Sequence, residues 1–114
     1  MATQSFKELL VWRQASDFSV ELYKSFSNNK DYGFRDQIQR ATMSIPNNIA
    51  EGYARRSDKA LRNFLQIAKG SAAEVESMLL ISVRLGYLTS EKQVELSSRI
   101  EEIGKLLSGF IKKL

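Results

Sequence analysis

Leu61-Arg62-Asn63-Phe64-Leu65-Gln66-Ile67-Ala68-Lys69-Gly70-Ser71-Ala72-Ala73-Glu74-Val75-Glu76-Ser77-Met78-Leu79-Leu80-Ile81-Ser82-Val83 is the stretch whose pattern decides the class of fold. Apolar or small residues recur at steps of three and four. Leu61, Phe64, Ala68, Ser71, Val75, Met78 and Ser82 make one seam, with Leu65, Ala72, Leu79 and Val83 beside it. Such steps return to one face of a helix, whereas a strand alternates at every second residue. The stretch predicts a single long helix. From Met78 to Leu85 almost every side of it is apolar. A helix apolar all round is buried on more than one face, and a subunit interface is expected to take the excess. The alternative is complete cover by its own chain.

Working outward, Gly86-Tyr87-Leu88-Thr89 ends this helix, with Gly86 suited to a C-cap. Ser90 and Gln93 have capping-box spacing for a following segment whose stripe is Val94 or Leu96, then Ile100, Ile103, Leu107, Phe110 and Leu114. Upstream, a break at Arg56-Ser57-Asp58 separates the long helix from a segment striped by Phe34, Ile38, Ala41, Ile45, Ile49 and Gly52. Pro46 interrupts that segment, but the stripe stays in phase on both sides, which predicts one kinked helix rather than two. Gly52 is expected to allow close approach of a neighbouring backbone, and Gly70 likewise. The first segment carries Val11, Ala15, Phe18, Leu22 and Phe26, with Leu9 and Trp12 at its start and a Ser5/Glu8 capping box. Ser27-Asn28-Asn29-Lys30-Asp31 stops it. Short connections favour antiparallel neighbours. The expectation is an all-α single domain over residues 1–114, an up-down-up-down four-helix bundle.

Composition narrows function. The 114 residues contain neither cysteine nor histidine, which removes disulfides, thiol nucleophiles, Ser-His-Asp triads, the usual zinc sites and Glu-x-x-His di-iron sites. No cofactor is expected, and no enzyme. No run approaches the ~18 apolar residues of a membrane span. Met1-Ala2-Thr3-Gln4-Ser5 lacks the basic and apolar regions of a signal peptide. A cytoplasmic protein with no membrane association is expected.

Several strings carry a resemblance. They are Leu9-Leu10-Val11-Trp12-Arg13-Gln14-Ala15, Gln37-Ile38-Gln39-Arg40-Ala41, Ser44-Ile45-Pro46-Asn47-Asn48-Ile49-Ala50-Glu51-Gly52, Phe64-Leu65-Gln66-Ile67-Ala68-Lys69-Gly70-Ser71, and Leu85-Gly86-Tyr87-Leu88. In this order they resemble the bacterial four-helix-bundle proteins encoded in intervening sequences of large-subunit ribosomal RNA genes, over roughly Phe6 to Leu114. The resemblance implies a ring-like homo-oligomer, typically a pentamer. It also suggests kinship with accessory proteins of diversity-generating retroelements, basic rings that bind nucleic acid and a reverse transcriptase. Two positions depart from the usual pattern: Gln39 stands where a second basic residue is common, and Leu61 where an aromatic is common.

Charge supplies the physical pointer to function. Lys and Arg number 17 against 13 Asp and Glu, a net of +4. In the expected topology one pole collects Lys7, Arg55, Arg56, Lys59, Arg62, Lys112 and Lys113 against only Glu8 and Asp58. The other holds Lys24, Lys30, Arg35, Arg84 and Lys92 against Asp31, Asp36 and Glu91. The first pole, with Arg55, Arg56, Lys59, Arg62, Lys112 and Lys113 as its working residues, could focus a field on RNA or DNA. Tyr53 is the one aromatic expected beside it, too few for a base-stacking platform. A protein–protein scaffold with no nucleic-acid role is the other reading.

A polar constellation stands apart from that pole. Ser44, Asn48, Glu51 and Arg55 line one edge of the second helix, and Ser71 and Glu74 lie one turn apart on the third. Glu51 and Glu74 have the look of paired carboxylates, but no third ligand exists at helical spacing, so no metal is expected. Asn48, Glu51, Ser71 and Glu74 are instead expected to bridge helices or subunits by hydrogen bonds.

Overall fold

Four helices account for most of the chain: α1 (Leu10–Phe26), α2 (Tyr32–Ala54), α3 (Asp58–Arg84) and α4 (Ser90–Lys112). The computed structural model describes residues 5–114, and no strand occurs among them. The reading of Met1 to Gln4 as free of a leader lies outside the described residues. Each helix packs on its neighbours in sequence, α1 also meets α4, and the pairs α1/α3 and α2/α4 lie diagonally. The result is an antiparallel bundle 50 Å long and about 20 Å across.

The core is the inner face of all four. Val11, Ala15, Phe18, Leu22 and Phe26 are buried on α1, and Ile38, Ala41, Ile45 and Ile49 on α2. On α4 the buried set is Leu96, Ile100, Ile103 and Leu107, while Val94 is exposed, which settles the choice between Val94 and Leu96. Each buried Val, Leu, Ile or Phe among them contributes roughly 1.5–3 kcal/mol on leaving water. On α3 the buried line runs Leu61, Leu65, Ala68, Ala72, Val75, Met78, Leu79 and Ser82. It threads between the two rows read from the sequence, and Phe64 and Ser71 are only half-buried. The outer side of α3 keeps Ile67, Leu80, Ile81 and Leu85 exposed.

Helix ends follow from local hydrogen bonding, with two shifts from expectation. Asp31 Oδ1 accepts from Phe34 N (3.2 Å) to open α2, and Ser57 Oγ accepts from Ala60 N (3.3 Å) to open α3. The α4 cap is Thr89, whose Oγ1 accepts from Lys92 N at 3.0 Å. Ser90 is therefore already helical, and Gln93 donates to Ser97 Oγ rather than closing a box on Ser90. The Ser5/Glu8 capping box does form, but it caps a 3-10 turn (Phe6–Glu8). Leu9 is extended after it, so α1 starts at Leu10 without a side-chain cap. The α3 C-terminus is a Schellman turn: Gly86 at φ +78° donates to Val83 O, and Tyr87 donates to Ser82 O.

Pro46 lies buried within α2, which runs unbroken from Tyr32 to Ala54 as one helix. Gly52 is where α2 meets α3 most closely: a Cβ added there would sit 2.6 Å from Phe64 Cβ and 3.2 Å from Leu61 Cδ1. Gly70 corrects the parallel expectation. It is exposed, with no atom within 4 Å of an added Cβ, because it points away from α2 and α4 on the outer side of α3.

The two glycines should therefore respond oppositely to alanine. Gly52→Ala forces Phe64 to shift and should cost about 1–3 kcal/mol. Gly70→Ala should stabilise by about 0.5–1 kcal/mol through helix propensity. Urea unfolding of both variants is the check; equal and small effects would contradict the packing described.

Candidate nucleic-acid interface

The α2–α3 turn builds the centre of the basic pole. α2 closes with Arg55 N donating to Gly52 O at 3.3 Å, and Arg56 then adopts φ +56° before Ser57 caps α3. Left-handed backbone is costly for a residue with a Cβ, of order 1 kcal/mol. It is the one described non-glycine residue in that region, and the short turn holds Arg56 there, exposed.

Arg55 is the most constrained cation of the group. Its Nη2 lies 2.7 Å from Glu51 Oε2, one helical turn back, and its guanidinium stacks 5.1 Å over the Phe64 ring. Both partners are solvent-exposed enough that the ion pair adds little stability; it fixes the side chain and offsets part of its charge. Phe64 thus joins Tyr53 as an aromatic at this pole. Among the described residues, Arg56, Lys59, Arg62, Lys112 and Lys113 make no ion pair with a carboxylate. Lys112 and Lys113 sit at the C-terminus of α4, where cations complement the helix dipole. Lys59 stands in the first turn of α3, where that dipole opposes it. Helix stability therefore does not account for Lys59.

The polar constellation divides into three. Ser44 Oγ and Ser71 Oγ share a hydrogen bond of 2.9 Å between α2 and α3. Asn48 Nδ2 donates to Ser44 O (2.7 Å) and Ser44 Oγ (2.9 Å), so Asn48 and Ser71 are joined through Ser44. Glu74 Oε2 accepts from Gln37 Nε2 at 3.3 Å, another α2–α3 link. Glu51 bonds within its own helix, to Arg55. Glu51 and Glu74 do not form a carboxylate pair, because antiparallel packing sets Ser44 beside Ser71 and leaves the two acids at different heights. No group of three acidic, His or Cys side chains suited to a metal occurs among the described residues.

Residues 7–109 match the family of 23S rRNA-intervening sequence proteins. The chain belongs to that family. A solved structure from Bacteroides thetaiotaomicron, described as a protein with unknown function from the S23 ribosomal protein family, has a TM-score of 0.84. It is 33% identical, and the match covers 90% of this chain and 99% of that one. No curated protein matches. No described helix of this intervening-sequence protein is long and apolar enough to cross a membrane.

Among the described residues, the opposite pole of this family member pairs two of its five cations and leaves Lys24, Lys30 and Arg84 without a carboxylate partner. Lys92 Nζ pairs with Glu21 (2.7 Å) and Glu95 (3.4 Å), and Arg35 pairs with Asp36. The hydrogen bond and charge of Lys92 hold the Glu21 carboxyl below the usual range, and Glu21 in turn raises Lys92. Tyr87 Oη donates to Asp31 Oδ2 at 2.5 Å, tying the α3–α4 turn to the start of α2. Its ring packs edge-on against Phe34, 5.3 Å between centroids. The Tyr87 hydrogen bond, followed by the Phe34 N–H, lowers Asp31; Asp31 raises the Tyr87 phenol. The sequence places these groups at one pole but gives no sign of their pairing, since they lie 56 residues apart.

The Asp31–Tyr87 bond predicts a two-sided pH dependence. A lowered Asp31 stabilises above the unfolded value of about 3.9, and that contribution is lost as pH falls through the folded value. A raised Tyr87 stabilises below about 10, and that contribution is lost as pH rises through the folded value. Tyr87→Phe should flatten both limbs of a Tm–pH profile. An unchanged shape, merely displaced, would contradict the bond.

Proposed function

We propose that this chain is a non-enzymatic, self-associating helical bundle of the cytoplasm whose basic pole holds the phosphate backbone of RNA or DNA. The carrying observation is the asymmetry of pairing. Among the described residues, one pole gathers Arg56, Lys59, Arg62, Lys112 and Lys113 without carboxylate partners and with only Glu8 and Asp58 as acids. The other pairs Arg35 and Lys92 and leaves Lys24, Lys30 and Arg84 unpaired among Asp31, Asp36 and Glu91. Unpaired cations crowded at one end raise the local potential and favour a polyanion. Contacts of this kind position a backbone without reading bases, so little sequence preference is expected.

Self-association is supported by the exposed outer side of α3, where Ile67, Leu80, Ile81 and Leu85 are each 42–53% accessible. Ile67, Ile81 and Leu85 fall within about 40° of one another round the helix, with Leu80 about 100° further on, and exposed apolar groups so arranged mark an interaction surface. A ring, with five copies as the number implied by the family resemblance, would set the basic poles side by side. A second reading, a scaffold for a protein partner such as a reverse transcriptase, is favoured by one feature. The groove between α1 and α2 is lined by Trp12, Val20, Tyr23, Met43 and Pro46 and has a volume of about 510 Å³.

Sedimentation velocity with a labelled oligonucleotide, across a salt series, reads both properties together. The protein should sediment as a multiple of 13.0 kDa and carry the label at low salt. The quadruple change Arg56→Gln, Lys59→Gln, Lys112→Gln and Lys113→Gln should leave the mass unchanged and make the salt dependence shallower. The slope should fall by about 0.7–0.9 for each phosphate no longer neutralised. Absence of co-sedimentation at low salt would remove the nucleic-acid role, and a 13.0 kDa species would remove self-association.

A further inference from the structure

The basic pole continues up the side of the bundle. Between α3 and α4 lies a groove of about 730 Å³ whose walls include Ala72, Ala73, Gly104, Ser108 and Gly109. These small side chains keep it open: a Cβ added at Gly104 or Gly109 would meet nothing within 4 Å. Lys69, Lys105 and Lys112 rim it, and Glu76 and Glu101 stand at its far end.

The spacing of the cations is regular. Glu76 of α3 and Glu101 of α4 face each other across the groove, and antiparallel packing from that point sets Lys69 level with Ser108, between Lys105 and Lys112. Arg62 stands two turns before Lys69 on the same face of α3, and Lys59 one turn before Arg62. Descending the groove, the order is Lys105, Lys69, Lys112, Arg62 and Lys59. Successive charges are about 4.5–6 Å apart along the axis, taken in part from alternate walls. Such a ladder matches a flexible chain of evenly spaced anions. The cleft between two helices is too narrow for a duplex. Its floor offers Ala72 and Ile100 and no aromatic ring, so bases would find apolar contact without a stacking platform.

We propose that the α3–α4 groove is a track for a single nucleic-acid strand, entered at the basic pole and closed at its far end by Glu76 and Glu101. This rests on the polyanion reading of the pole and adds where the strand runs and which form is preferred. The two carboxyls act as a stop. Charged, they repel the next phosphate; sharing a proton, they lengthen the track. The Glu101 hydrogen bond, with partial burial and the Glu101 charge, raises the Glu76 carboxyl above its ordinary range. The charged groups facing Glu76 in the groove are Glu101 and Lys105 of α4, with Lys69 two turns away on its own helix. As pH falls Glu76 takes up its proton early, so binding of a single strand should tighten.

Fluorescence anisotropy of the full chain with a labelled oligothymidylate of about 15 nucleotides, and a duplex of equal length, tests this across salt. Lys69→Gln with Lys105→Gln should weaken single-strand binding about tenfold at low salt and make the slope shallower by about 1.4. Duplex binding should change far less, and Lys69→Arg with Lys105→Arg should restore the single strand. Glu76→Gln with Glu101→Gln should tighten single-strand binding at neutral pH and abolish its pH dependence. Unchanged single-strand binding in the Lys69/Lys105 variant, with loss in an Arg56→Gln, Lys59→Gln variant, overturns the groove and leaves the pole. No binding by the wild type at low salt overturns both. An equal loss towards a polyglutamate peptide assigns the groove to an acidic protein segment and overturns the proposal.

Discussion

Where Gly52 leaves α2 without a side chain, Phe64 of α3 comes against its backbone, and the turn between the two helices is held short. That close approach fixes the register of α2 against α3. Ser44 then falls beside Ser71 and Gln37 beside Glu74. Phe64, pinned by Gly52 on one side, offers its ring to Arg55 on the other. The same short turn drives Arg56 into left-handed backbone. Packing at the core edge is thus what shapes the charged pole.

Energetics separate the two ends of the bundle. At the Asp31–Tyr87 end, Asp31 is matched to Tyr87, Lys92 to Glu21 and Glu95, and Arg35 to Asp36, and their worth is read in stability, while Lys24, Lys30 and Arg84 stay unpaired among the described residues. At the Arg56–Lys59 end the cations are left to solvent, and one of them opposes the dipole of the helix that carries it. Groups that lower stability slightly and pair with nothing in their own chain are those with most to gain from an external anion. The α3–α4 groove extends this logic, because its small residues remove the cover that would otherwise exclude a ligand from Lys69 and Lys105.

Much of this is legible in the residues alone. The three- and four-residue spacing locates every helix, and the buried faces of α1, α2 and α4 follow the stripes. The C-cap at Gly86 and the close approach at Gly52 follow from glycine chemistry. Local competition among neighbours is harder to read: Thr89 displaces Ser90 as a cap, and Leu9 separates the capping box from α1. Gly70 shows a deeper limit. Periodicity places it on α3, but which side of α3 faces a neighbour depends on the packing of α2 and α4. Pairings over long separations, Tyr87 with Asp31 and Glu76 with Glu101, carry no sequence signal, because only the register of antiparallel helices brings them together. The six basic site residues are assignable to one end from topology, but not which of them is held: Arg55 is, by Glu51 and Phe64.

Amide hydrogen exchange of the full chain, with and without a single-stranded oligonucleotide, tests the proposed role of the basic pole most directly. Slowed exchange should appear in the α2–α3 turn, the first three turns of α3 and the last three of α4, while the Asn28–Asp31 and Gly86–Thr89 turns stay unchanged. Slowing confined to the Asp31–Tyr87 end, or no slowing at low salt, would contradict the assignment of function to the basic pole.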